Sequence, residues 1–264
     1  MFLRNHDELD LGRLTRAQQR KVFECFGPDK RMQLYERGIR RRLAPMLGAD
    51  RRKLELAYSL MYTLPGTPVL RYGDELGMGD NLKLPERNCA RTPMQWSDEP
   101  QAGFTKAKKA VLPVISQGPF GFQQVNAARQ RRDPNSLLNW MERTIRMRKE
   151  VPEISWGDFR VIRTRNPSIL IMQYQWRNNA VLIVHNFKDE AQEVSFSLDG
   201  DGGRKSLLIS LLSEEHSKAG RDGRHRLALE PFGYRWFRVG GLDYLLRRSE
   251  IDRPSDDKRG KAEK

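Results

Sequence analysis

Cysteine is scarce in this sequence: Cys25 and Cys89 are the only two in 264 residues. Two cysteines make no disulfide framework, and their spacing matches no metal-ligand pattern, so a disulfide-stapled secreted scaffold and a zinc module are both excluded. Long apolar runs are missing too. No uninterrupted stretch approaches ~20 residues, the length of a membrane-spanning helix. Arg4, His6 and Asp7 interrupt the first apolar run, so the opening does not read as a secretory signal. A reduced, cytoplasmic setting is the expectation, with no membrane partner. Hydrophobic residues make up 38% of the chain, less than a globular domain usually carries; 11 Phe, 7 Tyr and 5 Trp still give bulk for a core, and the low figure points to a core of which the chain lacks part.

Positive charge, by contrast, is plentiful: the net charge is +14 and the pI about 10.0. A polyanion partner would suit such a balance. The basic residues are scattered, however, and no Lys/Arg block alternates with aromatics, which argues against nucleic acid. The densest run is Arg37-Gly-Ile-Arg-Arg-Arg42. It reads either as a solvated helix face with ion pairs or as a lid whose guanidinium forks grip hydroxyls or carboxylates at the rim of a site.

Met1-Phe-Leu-Arg4 reads as a short strand running into the polar knot Asn5-His-Asp-Glu8. Buried strands of a β/α barrel end in this way where their carboxyl edge meets solvent. Residues 5–52 follow as a long excursion with polar helical pieces. Asp50 then caps a helix whose residues Leu54, Ala57, Tyr58 and Met61 share one apolar face, and Leu64-Pro-Gly66 stops it. Thr67-Pro-Val-Leu-Arg-Tyr72 is a second buried-strand candidate, ending in Gly73-Asp-Glu75. A right-handed crossover lays the two strands parallel, with both acidic ends on one edge. Residues 76–134 are rich in Gly and Pro, and a loop of that length is usually functional. Asp133-Pro-Asn-Ser136 caps a further helix. Leu137, Leu138, Met141, Ile145 and Arg148 mark one flank of it, with Trp140 and Thr144 alongside, and Val151-Pro152 ends it.

Beyond Trp156-Gly157 the pattern changes to short strands at 159–162, 169–174, 180–185, 193–197 and 234–239, separated by turns such as Arg177-Asn-Asn179 and Asp199-Gly-Asp-Gly-Gly203. This spacing predicts an all-β sandwich. Residues 242–264 carry charges of both signs and read as a disordered tail. No repeat is evident.

Several motifs, in this order, resemble the α-amylase superfamily of retaining α-glucosidases and transglucosylases. They are Asn5-His-Asp7 after an apolar stretch, Thr63-Leu-Pro-Gly-Thr-Pro-Val-Leu70 followed by Tyr72-Gly-Asp-Glu75, and Arg91-Thr-Pro-Met-Gln-Trp96. The longer stretches 2–9, 38–45, 72–81 and 135–140 resemble the branch that interconverts maltose and trehalose by intramolecular glucosyl transfer. The resemblance implies a fold that is α/β followed by all-β, in which residues 1–153 form the last two β/α units of a (β/α)8 barrel and residues 154–241 an antiparallel β-sandwich. It implies that Asp7 is the catalytic carboxylate that stabilises the transition state, and that His6, Asn5, Arg91 and Glu8 bind substrate, Arg91 either reaching a second-sugar hydroxyl or pairing with a loop carboxylate. Asp74 and Glu75 brace loops, and Trp96 packs in the core or a loop. Arg71 departs from the Tyr common at that place in the superfamily.

No organic cofactor and no metal ligand is implied for these residues. The partners implied are α-glucosides such as maltose and trehalose, together with a chain supplying the missing half of the barrel. No residue matches the superfamily's nucleophilic Asp or its acid/base Glu, so inactivity of the chain alone is expected. Three other readings stand beside this one: part of an α-glucosidase-type hydrolase, a non-catalytic sugar-binding or interaction module, and a polyanion binder. The bland reading of the opening motif is that Asp7 caps a turn and His6 packs. An incomplete barrel exposes strand edges and apolar helix faces, which predicts poor solubility.

Overall fold

A two-residue strand, β1 (Leu9–Asp10), leads into helix α1 (Arg16–Phe26), which starts in a capping box where Thr15 and Gln18 satisfy each other's backbone N–H groups. Strands β2 (Gln33–Leu34) and β3 (Gly38–Ile39) follow, and β3 lies between β1 and β2 in a small antiparallel sheet. Next come α2 (Leu43–Met46), α3 (Arg51–Thr63), α4 (Ala127–Arg132) and α5 (Leu137–Glu150). These elements make up one of two units in this computed structural model, Met1–Glu150 and Val151–Lys264. The structure describes residues 1–198 and 207–240. The predicted tail at 242–264 and the turn at 199–203 lie outside the described residues.

The two long helices match the sequence reading. Asp50 accepts from the Arg52 N–H at the start of α3, Leu64 caps its end, and Leu54, Tyr58 and Met61 are buried while Ala57 is only half-buried. In α5 the Ser136 hydroxyl accepts the Asn139 N–H, and the buried face is Leu137, Trp140, Met141 and Thr144. That face is centred one step round the helix from the predicted flank of Leu138, Ile145 and Arg148. The Arg51 guanidinium bridges the start of α3 to the start of α5, donating to the carbonyls of Asn135 and Ser136. At the other end, Arg148 near the end of α5 donates to the carbonyl of Gly66, just past the end of α3. The two helices therefore run in the same direction.

Residues 1–4 and 67–72 are not strands, and the second segment is not buried. They nevertheless lie side by side. The Met1 amino group donates to the Thr67 carbonyl, and the Val69 N–H donates to the Met1 carbonyl at 2.7 Å. Bonds from one residue to the two neighbours of Pro68 have the pattern of a parallel ladder. Only this rung forms. Neither segment has a further strand beside it among the described residues, and a parallel strand is stable only when flanked and covered. Phe2 and Val69 consequently stand 53% and 54% exposed.

The second unit opens with α6 (Glu153–Trp156), which is followed by β4 (Asp158–Ile162), β5 (Ile169–Trp176), β6 (Asn179–Asn186) and β7 (Gln192–Phe196). The remaining strands are β8 (Leu207–Ser210), β9 (His216–Lys218), β10 (His225–Leu229) and β11 (Tyr234–Val239). Six of them form an antiparallel sheet in the order β4-β5-β6-β11-β8-β9, while β7 pairs with β10. Ile171, Leu182, Val184, Leu208 and Phe237 from the large sheet pack against Val194, Phe196 and Leu229 from the small one. All five predicted strands are present. Three more strands are present: β8 and β9 are short, and β10 opens with the polar pair His225-Arg226.

Candidate functional site

The polar knot after residue 4 is held open by arginines. Arg4 is buried and spends its guanidinium on the chain itself, with Nε donating to the Arg41 carbonyl at 2.8 Å and Nη2 to the Asp7 carbonyl at 2.8 Å. Burial lowers its pKa to about 10. The Asn5 side chain turns the backbone by accepting the Asp7 N–H at 2.9 Å, an Asx turn. The Asn5 carbonyl in turn accepts from Arg71 Nη1 at 3.2 Å. Backbone and buried guanidinium together fix the direction in which Asp7 leaves the chain.

His6 Nε2 lies 3.5 Å from Asp7 Oδ2, with the two side chains 64% and 39% exposed. Arg91 donates through Nη2 to Asp7 Oδ1 at 2.9 Å and through Nε to the His6 carbonyl at 3.1 Å. Arg87 was not singled out in the sequence, yet it binds Glu8 with both arms, at 2.6 and 3.2 Å, and its Nε lies 3.5 Å from Asp7 Oδ1. Its partner lies 79 residues away in sequence, so no local spacing marks it. The two Arg87 hydrogen bonds hold the Glu8 carboxyl below its usual range.

The structure thus brings Asn5, His6, Asp7, Glu8 and Arg91 together, and it separates their capacities. Asp7 and His6 present exposed polar atoms. Glu8 is tied up by Arg87 with its side chain only 8% exposed, and the Asn5 carboxamide oxygen is committed to the turn. A part-exposed carboxylate between a histidine and a guanidinium can accept sugar hydroxyls and stabilise developing positive charge. Glycoside cleavage also requires an acid and a nucleophile or base, and Glu8, neutralised by Arg87, does not offer one.

The Arg37–Arg42 run forms neither a helix face nor a free lid. Arg40 donates to the carbonyls of Leu82, Leu84 and Glu86, and Arg41 donates to Asp80. Arg42 is fully buried and donates to the Tyr72 carbonyl and the Asp74 carboxylate. Arg40 and Arg41 thus pin the start of the long loop, and Arg42 the turn just before it. Asp74 braces as expected; burial pushes its carboxyl up, against the pull of Arg42. Gly73 has φ +82°, and a Cβ there would collide with the Met78 sulfur, so the Tyr72-Gly-Asp turn needs glycine. Arg71 stacks 5.1 Å from the Tyr72 ring centre. Trp96 is 46% exposed rather than packed, whereas Thr92, Met94 and Gln95 of the same motif are buried. No group of three metal-ligating side chains occurs among the described residues, and no helix there is long and apolar enough to cross a membrane.

Residues 35–157 match the α-amylase catalytic-domain family, and residues 179–238 match a sucrose hydrolase-like C-terminal domain. The chain belongs to the α-amylase superfamily. Within it, the chain is similar to trehalose synthase of Thermus thermophilus, 36% identical over 93% of this chain and 25% of that protein. It is also similar to the trehalose synthase/amylase TreS of Mycolicibacterium smegmatis, 39% identical over 90% of this chain and 42% of the relative. The chain thus spans well under half the length of these curated relatives. The trehalulose synthase MutB of Pseudomonas mesoacidophila MX-45 shares the fold, with a TM-score of 0.61 at 24% identity over 90% of this chain and 42% of that one.

Proposed function

We propose that this chain is the C-terminal portion of a maltose–trehalose interconverting glucosyltransferase, and that it contributes one wall of the sugar site without catalysing the reaction alone. The observation that carries this reading is Asp7: a part-exposed carboxylate beside His6, clamped by Arg91 on a backbone braced by buried Arg4. Its place in the chain supports the role. It follows a segment laid parallel to residues 67–69, and α3 and α5 run in the same direction, as successive β/α units of a barrel do. Residues 1–153 are then the last two β/α units, and 154–241 the appended sandwich.

In this role Asp7 grips ring hydroxyls and stabilises the oxocarbenium-like transition state, while His6 donates to a neighbouring hydroxyl. Arg91 keeps the carboxylate oriented, and Asn5 and Glu8 shape the corner from behind. The nucleophile and acid/base carboxylates have no counterpart among these 264 residues, so another polypeptide segment must supply them. Two measurements test the reading. The purified chain given maltose should release neither trehalose nor glucose. Mixed with a polypeptide bearing the six preceding β/α units of the M. smegmatis relative, it should restore conversion, and Asp7→Asn should abolish the restored activity. Turnover by the chain alone, or restored activity indifferent to Asp7, would sink it.

A further inference from the structure

Tyr35 is exposed to 50%, and it stands on a three-residue loop between β2 and β3 whose backbone is strained: Tyr35 has φ +53° and Glu36 φ +54°. Two consecutive non-glycine residues in the left-handed region cost free energy, and such strain persists only where the surroundings enforce it. Here they do. β3 is pressed against the polar corner, because Gly38 lies so close to Glu8 that a Cβ would overlap the Glu8 Cγ. The Tyr35 ring also packs against the guanidinium of Arg87, 5.7 Å from its centre, and that guanidinium binds Glu8 and approaches Asp7. Tyr35 is thus one guanidinium removed from the carboxylate that the proposed function assigns to the first sugar ring.

We propose that Tyr35 is the stacking platform for the second glucose ring of an α-linked disaccharide, and so a specificity-determining residue for disaccharide over monosaccharide. This inference rests on the reading of Asp7 given above. The apolar C–H face of a pyranose suits the electron-rich face of an aromatic ring, and a tyrosine fixed by a cation on one side offers that face with little ordering cost.

Saturation-transfer NMR on the full chain, titrated with maltose and separately with glucose, tests the inference. Unaltered chain should bind maltose more tightly than glucose. Tyr35→Leu, which keeps bulk but loses the ring, should weaken maltose by about three- to tenfold, the range of one aromatic contact, and leave glucose within about twofold. Tyr35→Phe should keep the maltose affinity, and Asp7→Asn should weaken both sugars. Equal losses for both sugars in Tyr35→Leu, or no loss, would overturn the stacking role while leaving the Asp7 reading intact. Failure of the unaltered chain to bind either sugar would overturn both.

Discussion

Arg91 and Asp7, 84 residues apart in sequence, meet at 2.9 Å, and through that bond the long loop closes on the polar corner. The side chains are 35% and 39% exposed, so solvent screens the pair and its worth to folding is small, under about 1 kcal/mol. Its worth to the site is orientation. Arg91→Gln should therefore shift the urea midpoint only slightly, yet lower the affinity for maltose several-fold in the same NMR titration. A large stability loss with unchanged binding would show that Arg91 serves the loop and not the carboxylate.

Arg42 and Asp74 present the opposite case, with side chains 1% and 8% exposed. Removing one member of a buried pair leaves the other charged in a poor solvent, at a cost of about 3–5 kcal/mol. Arg42→Met should lower unfolding free energy by that order. Arg42 also buries Nε and Nη1 without a partner, so the pair is imperfectly satisfied as it stands. The double variant Arg42→Met with Asp74→Leu should accordingly regain much of the loss. Urea unfolding of the three variants checks both signs, and additive losses would contradict the coupling.

Sequence spacing revealed most of the regular architecture because apolar periodicity reports what each element buries. The face of α3, most of that of α5, and strands β4, β5, β6, β7 and β11 of the sandwich follow from it. The same reasoning failed at residues 1–4 and 67–72. Their composition is that of buried strands, but burial depends on neighbours the described residues do not provide. In the site, Asn5, His6, Asp7 and Arg91 were legible from their motifs. Arg87 and Tyr35 were not, since long-range ion pairs and ring contacts leave no local periodicity. The arginines at 40–42 escape it for a related reason: charge suggests solvent, whereas Arg40 donates to loop carbonyls, Arg41 to the Asp80 carboxylate, and the buried Arg42 to the Tyr72 carbonyl and the Asp74 carboxylate.

His185, on β6, is fully buried, and burial lowers its pKa to about 3. In the unfolded chain a histidine titrates near ~6.5. Between these values the unfolded state binds a proton that the folded state refuses, so stability rises with pH across this window and is lost as pH falls through it. The slope for one such group is about 1.4 kcal/mol per pH unit. Urea midpoints for the sandwich measured from pH 7 to 4 should fall accordingly, and His185→Gln should flatten that slope. Glu8 acts in the same direction at lower pH, because its folded pKa is depressed by Arg87. Asp74, Glu75 and Asp80 oppose it, since burial raises theirs. An unchanged slope in His185→Gln would assign the acid sensitivity to other groups.

Phe2 and Val69 flank the single parallel rung formed by Met1 and residues 67–69, and both are more than half exposed. Exposed apolar side chains on segments with unused backbone donors and acceptors form a template for another strand. In an assembled barrel, neighbouring strands would cover them; in the chain alone, a second copy will. Light scattering of the purified chain should therefore show concentration-dependent association. Phe2→Lys with Val69→Lys should suppress it, since a lysine ammonium cannot be buried against an apolar strand without a counter-ion. Both substitutions lie on exposed side chains, so the melting temperature should change little. The same double variant should also weaken complementation by the preceding barrel segment, because the surface that aggregates is the surface that docks. Suppressed aggregation with undiminished complementation would separate the two surfaces and place the docking contacts elsewhere.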